Sequence, residues 1–152
     1  AIPSANSVAA LALLKLHKTT ENKQYRECAR STLLLFSDRM EKQGSAVPYL
    51  LQALDFYLHE PYRVVVAGNP EDKEFQNALH EVHNQYQPNR VVIGNHGPVE
   101  EFAKKQTPEE NGSPLVYVCS GSACQIPTID PKKFKSYLKP SPPKSQIPED
   151  ED

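Results

Sequence analysis

Tyr62-Arg63-Val64-Val65-Val66-Ala67-Gly68 is the stretch that decides the fold of this chain. Three β-branched residues stand in a row between Pro61 and the punctuation Gly68-Asn69-Pro70, with nothing polar alternating among them. That pattern describes a short strand buried on both faces, which requires helices above and below the sheet. Residues 90–93 and 115–119 are apolar runs of similar length and supply neighbours for it. Between the first two runs, Phe75, Ala78, Leu79, Val82 and Tyr86 recur at helical spacing. The middle of the chain therefore reads as β-α-β with a right-handed crossover. The expected fold class is α/β, with N-terminal antiparallel helices packed on a small, mostly parallel three-stranded sheet and its helices.

Upstream of that strand the pattern is helical. Residues 8–16 contain one charge, Lys15, and their apolar side chains run all round the helix. Such a helix requires burial on every side, and the rest of the chain offers it few partners. The expectation is that Ala1 is a cut point inside a larger protein. A second helix is expected after Thr19-Thr20, with Thr20 as its cap, Glu21 in its first turn, and an apolar face of Tyr25, Ala29, Leu33, Phe36 and Met40 ending at Gly44. A third, opened by Pro48, carries Leu50, Leu51, Leu54 and Leu58. Residues 1–60 thus form a set of antiparallel helices and residues 61–138 a small α/β segment. Residues 139–152, with four prolines and the ending Glu149-Asp150-Glu151-Asp152, form a disordered acidic tail.

A chain of 152 residues with 24% charged side chains is long enough for one ordinary core. Its net charge of −2 gives no reason to expect nucleic acid or a membrane surface as partner. Three cysteines, an odd number, do not make a dense disulfide framework. The compartment stays open, with the cytoplasm preferred.

No complete catalytic constellation is present, and no cofactor is called for. Gly68-Asn69-Pro70 occupies the place of a phosphate-binding turn, but it has one glycine and a proline where a backbone donor is needed. The reading is a helix start with Asn69 as cap. His80 and His83 share a helix face without the third ligand that a metal requires, and His17, His59 and His96 read as surface residues. The most suggestive local pattern is Cys119-Ser120-Gly121-Ser122-Ala123-Cys124. Its two thiols flank a turn and are placed to form a disulfide, to clasp a metal with further ligands, or to lie buried as free cysteines.

Three blocks carry a resemblance: Pro3-Ser4-Ala5-Asn6-Ser7-Val8-Ala9-Ala10 with Leu13-Leu14-Lys15-Leu16, then Tyr86-Gln87-Pro88-Asn89-Arg90-Val91, then Tyr117-Val118-Cys119 with Ala123-Cys124, Pro127 and Asp130-Pro131. In this order they resemble the C-terminal end of the spermatogenesis-associated thioredoxin-like proteins and their bacterial relatives. The resemblance implies a thioredoxin-like domain followed by an α/α toroid of the six-hairpin kind, similar to N-acylglucosamine 2-epimerases and glycosidases, with a small α/β segment at the end. It makes the upstream toroid helices and the thioredoxin-like domain the partners of this chain, and places Ser4 and Asn6 near the toroid's central cavity. The leading reading is a non-catalytic C-terminal fragment of such a protein, serving a carbohydrate-related or redox activity located elsewhere. The alternative is a small redox or metal-binding module working through Cys119 and Cys124.

Overall fold

A computed structural model describes residues 3–121 and 123–138. The acidic tail lies outside the described residues. Strand β1, Tyr62–Ala67, is the centre of the architecture: Val64, Val65 and Val66 are completely buried. Each such valine contributes roughly 1.5–3 kcal/mol by leaving water. Helix α5, Lys73–His83, follows, and strand β2, Arg90–Gly94, then pairs parallel to β1, with Val65 opposite Ile93. The expected β-α-β unit is present.

The sheet differs from expectation in number and direction of strands. It has four strands in the order β2-β1-β3-β4, and only the β1–β2 pairing is parallel. β3, Leu115–Ser120, runs antiparallel to β1, and β4, Ala123–Cys124, runs antiparallel to β3. The reason lies in the connector. Between β2 and β3 the only helix is α6, Glu101–Lys104. The rest of the connector folds back on the end of β2, the Asn95 carboxamide donating to the Gln106 carbonyl at 3.0 Å and the Tyr117 hydroxyl to that of Thr107 at 2.8 Å. The chain never returns to the bottom of the sheet and must enter β3 from the top. β4 has no signature in the sequence, because two residues after a turn carry no period.

Alternation along β1 sends its side chains to two different layers. Val64 and Val66 pack with Phe75, Ala78 and Val82 of α5, with Val116 and Val118, and with Phe134 and Leu138 at the end of the chain. Phe134 belongs to α7, Pro131–Tyr137, which Asp130 caps by accepting the backbone N–H of Lys132. Val65 packs on the opposite face with Ile93 and Ala103. On that face Val91 of β2 joins the core of the helical layer.

The helical layer consists of α1 (Ala5–Thr20), α2 (Lys23–Leu35), α3 (Ser37–Lys42), a single 3₁₀ turn (Gly44–Ala46) and α4 (Pro48–Leu58). α1 packs on α2, α4 and β2 and buries Ala10, Leu11 and Leu14. It therefore has partners, but along one stripe only: Val8 and Leu16 are 45% and 44% exposed. The cap of α2 is Asn22, not Thr20, and its carboxamide oxygen accepts from Gln24 N–H at 3.0 Å. Thr19 and Thr20 stay helical, their hydroxyls donating back to Lys15 and Leu16 carbonyls. Glu21 closes α1 in the left-handed conformation at φ 59°. The second predicted helix is interrupted at Phe36. In α5 the cap position falls to Asp72, while Asn69 donates to the Asp72 carboxylate and holds the turn in front.

Gly68 ends β1 at φ 152°, where a Cβ would come within 3.2 Å of Phe75 and Pro114. Only glycine lets the turn sit so close to the layer below it. Its N–H donates to the buried side chain of Asn95.

Candidate functional site

Ser4 and Asn6, singled out in the sequence, lie together at the mouth of a cavity of about 490 Å³ between the N-terminal ends of α1 and α4. The volume is within the ordinary range for a small-molecule site. Ser4 is the N-cap of α1. Its hydroxyl accepts from Ser7 N–H at 3.3 Å and donates to the Ser7 hydroxyl at 3.1 Å, and Ser7 in turn donates to the Ser4 carbonyl. Ser4 thus fixes the rim, and Asn6 stands two residues further on with its carboxamide making no hydrogen bond among the described residues. Arg39 and Tyr49 complete the polar lining, with Phe36 and Pro48 as apolar walls. Among the described residues, no acid lines the cavity. It offers an amide, a hydroxyl, a guanidinium and a phenol to a ligand, and no carboxylate pair for general acid–base chemistry.

The second candidate is a disulfide. Cys119 on β3 and Cys124 on β4 are direct register partners and are bonded, with their Cα atoms 4.0 Å apart. Ser120 and Ala123 close a two-residue connection in which Gly121 has φ 59°, a left-handed position natural to glycine. The next pair out, Cys119 with Cys124, is then the type that exchanges no ladder hydrogen bonds and brings side chains closest. Gln125 N–H donating to the Val118 carbonyl at 2.9 Å resumes the ladder beyond it. Of the readings open from sequence, the disulfide is the one realised. A disulfide leaves no thiolate to bind a metal, and no group of three or more metal-ligating side chains occurs among the described residues. Cys28 is free and exposed. His80, His83 and His96 are exposed, as expected of surface residues.

A third cluster had no signal in the sequence. Glu100, just ahead of α6, has a completely buried side chain, with its Oε1 2.8 Å from Nη1 of Arg63 on β1. The contact is close but poorly aligned, so neither carboxylate oxygen nor Arg63 Nε has a good hydrogen-bond partner. The Arg63 guanidinium also lies 4.3 Å from the centre of the Phe102 ring. Burial pushes the Glu100 carboxyl above its ordinary pKa; Arg63 opposes the shift and Glu21 beside it adds to it. With both acids ionised neither can donate, whereas a proton on Glu100 turns their contact into a hydrogen bond. Backbone Glu100 N–H donates to the Thr19 carbonyl at 2.8 Å, so the cluster ties the end of α1 to the sheet. The arrangement is a clasp between layers rather than a site open to substrate.

No family model matches the chain, and no solved structure does. Human spermatogenesis-associated protein 20 is 32% identical over 144 residues, covering 91% of this chain. The rat protein of the same name is 33% identical over 142 residues and 90% of the chain. A Caenorhabditis elegans protein is 27% identical over 130 residues, covering 82%. In each case the chain spans 18% of the relative's length. The chain belongs to the spermatogenesis-associated protein 20 family, as a part of less than a fifth of its length.

Proposed function

We propose that this member of the spermatogenesis-associated protein 20 family is the C-terminal segment of a larger toroid protein, and that it binds rather than transforms. Its role is to close an α/α toroid of the six-hairpin kind and to place Asn6, with Arg39 and Tyr49, at the mouth of a cavity for a carbohydrate-like, hydroxyl-rich ligand. The observation that carries this reading is the 490 Å³ cavity at Ser4 and Asn6, which the described residues line with polar and apolar side chains and no acid. Groups that make and break bonds are then supplied by other parts of the protein. The exposed apolar residues Val8 and Leu16 on α1, and Leu34 and Leu35 at 55% and 77% exposure on α2, support the companion reading that upstream helices pack here. A thioredoxin-like domain further upstream is part of the same proposal.

The test uses the full-length protein. Binding of a panel of monosaccharides is followed by calorimetry for the wild type and for Asn6→Ala and Arg39→Ala. Loss of a hydrogen bond to a bound hydroxyl, charge-assisted in the case of Arg39, weakens binding on the order of tenfold at unchanged melting temperature. A wild type that binds no sugar, or variants that bind as well as it does, overturns the proposal.

A further inference from the structure

The two sulfurs of the Cys119–Cys124 disulfide differ sharply in access. Cys119 lies on β3, flanked by β1 and β4, and is 1% exposed. Cys124 lies on β4, the edge strand, and is exposed. A thiolate opens a disulfide by attacking one sulfur along the S–S axis, from the side opposite the sulfur that leaves. Approach to Cys124 comes from solvent beyond the sheet edge, whereas approach to Cys119 passes through the packed sheet.

Opening the bond leaves the core intact. β4 consists of two exposed residues, and Ile126 beyond it is 79% exposed. The chain regains the sheet at the Val116–Thr128 bridge, and buried packing resumes at Phe134. The disulfide is therefore the side-chain tether of the segment at residues 123–127, and Cys119 is the one core side chain it involves.

We propose that Cys124 is a site of thiol–disulfide exchange with an external low-molecular-weight thiol. Its thiolate forms a mixed disulfide with Cys124 Sγ, the Sγ–Sγ bond breaks, and the electron pair leaves on Cys119 Sγ, which then takes a proton. A second thiolate attacks the mixed disulfide and displaces Cys124 as thiolate. In total two thiols are oxidised to one disulfide, and two electrons and two protons pass to the cysteine pair.

The experiment uses the full chain in a Cys28→Ser background, which removes the other exposed thiol. Cys119→Ser leaves Cys124 alone at the surface, and Cys124→Ser leaves Cys119 alone under the sheet. Each is incubated with oxidised glutathione and its intact mass followed. Cys119→Ser gains one glutathione at a rate on the order of tenfold or more above that of Cys124→Ser. Equal rates, the reverse order, or no adduct on Cys119→Ser overturns the proposal. As a control that needs neither variant to fold, the Cys28→Ser chain with its disulfide intact is treated briefly with reduced glutathione and quenched in acid, and the mixed disulfide is mapped by digestion. Adduct on Cys124 supports the assignment, and adduct on Cys119, or none at either position while the disulfide is consumed, overturns it.

Discussion

Arg63 Nη1 and Glu100 Oε1 stand 2.8 Å apart where the end of α1, strand β1 and the start of α6 meet. The acid is fully buried and the base 23% exposed, so the pair is held out of water on one side only. Folding raises the Glu100 pKa from its ordinary value of 4.5. Between that value and the raised one the folded chain binds more protons than the unfolded chain, and stability falls as pH rises through the window. Urea midpoints measured across it fall for the wild type, and Glu100→Gln removes this residue's share of the slope. An identical pH profile for the variant shows that Glu100 does not titrate differently on folding.

Removing one partner of the pair strands the other. Arg63→Ala leaves the Glu100 carboxylate buried without its cation and costs about 3 kcal/mol. Replacing both with methionine recovers most of that loss, since an apolar pair of similar volume has no charge to desolvate. Denaturant unfolding of Arg63→Met, Glu100→Met and the double variant gives the coupling directly. Additive losses mean that the contact carries no coupling energy.

Phe134 is completely buried and pins α7 under the sheet. Phe134→Ala costs about 3–5 kcal/mol through lost contacts and the cavity left behind. Ile126→Ala, at a residue 79% exposed, changes stability by no more than about 0.5 kcal/mol. Comparable losses from the two replacements contradict this placement of α7.

The apolar residues left in solvent on the helical layer, Val8, Leu16, Leu34 and Leu35, form the face assigned above to upstream helices. The isolated chain binds a hydrophobic dye and self-associates with rising concentration. Leu16→Lys with Leu35→Ser lowers both signals, as does restoring the upstream sequence. A monomer that binds no dye at any concentration removes the case for a covering partner.

The run Val64-Val65-Val66 determined by itself that a strand is buried on both faces, because three β-branched apolar residues in succession leave no side for water. The closeness of Cys119 and Cys124 was equally local, since two residues on either side of a short turn have nowhere else to go. Ser4 and Asn6 came from a resemblance; both line one cavity of this chain, and that it belongs to a toroid is the proposal made above. The direction of β3 was decided in three dimensions, by a connector that folds back on the end of β2 through Asn95, Gln106 and Thr107 instead of returning down the sheet.

Glu100 and Glu101 show the limit most plainly. They are identical neighbours in the sequence, yet one side chain is fully buried and the other is 73% exposed. Their ionisation moves in opposite directions, burial raising the pKa of Glu100 and a hydrogen bond from Lys104 lowering that of Glu101. The partners of Glu101 lie a few residues away on its own helix and are visible in the sequence. Glu100 has one local partner, the backbone of Phe102, but Thr19, Glu21 and Arg63 are brought to it from other elements by folding. Desolvation depends on everything that surrounds a group, and for Glu100 only the tertiary structure assembles those surroundings.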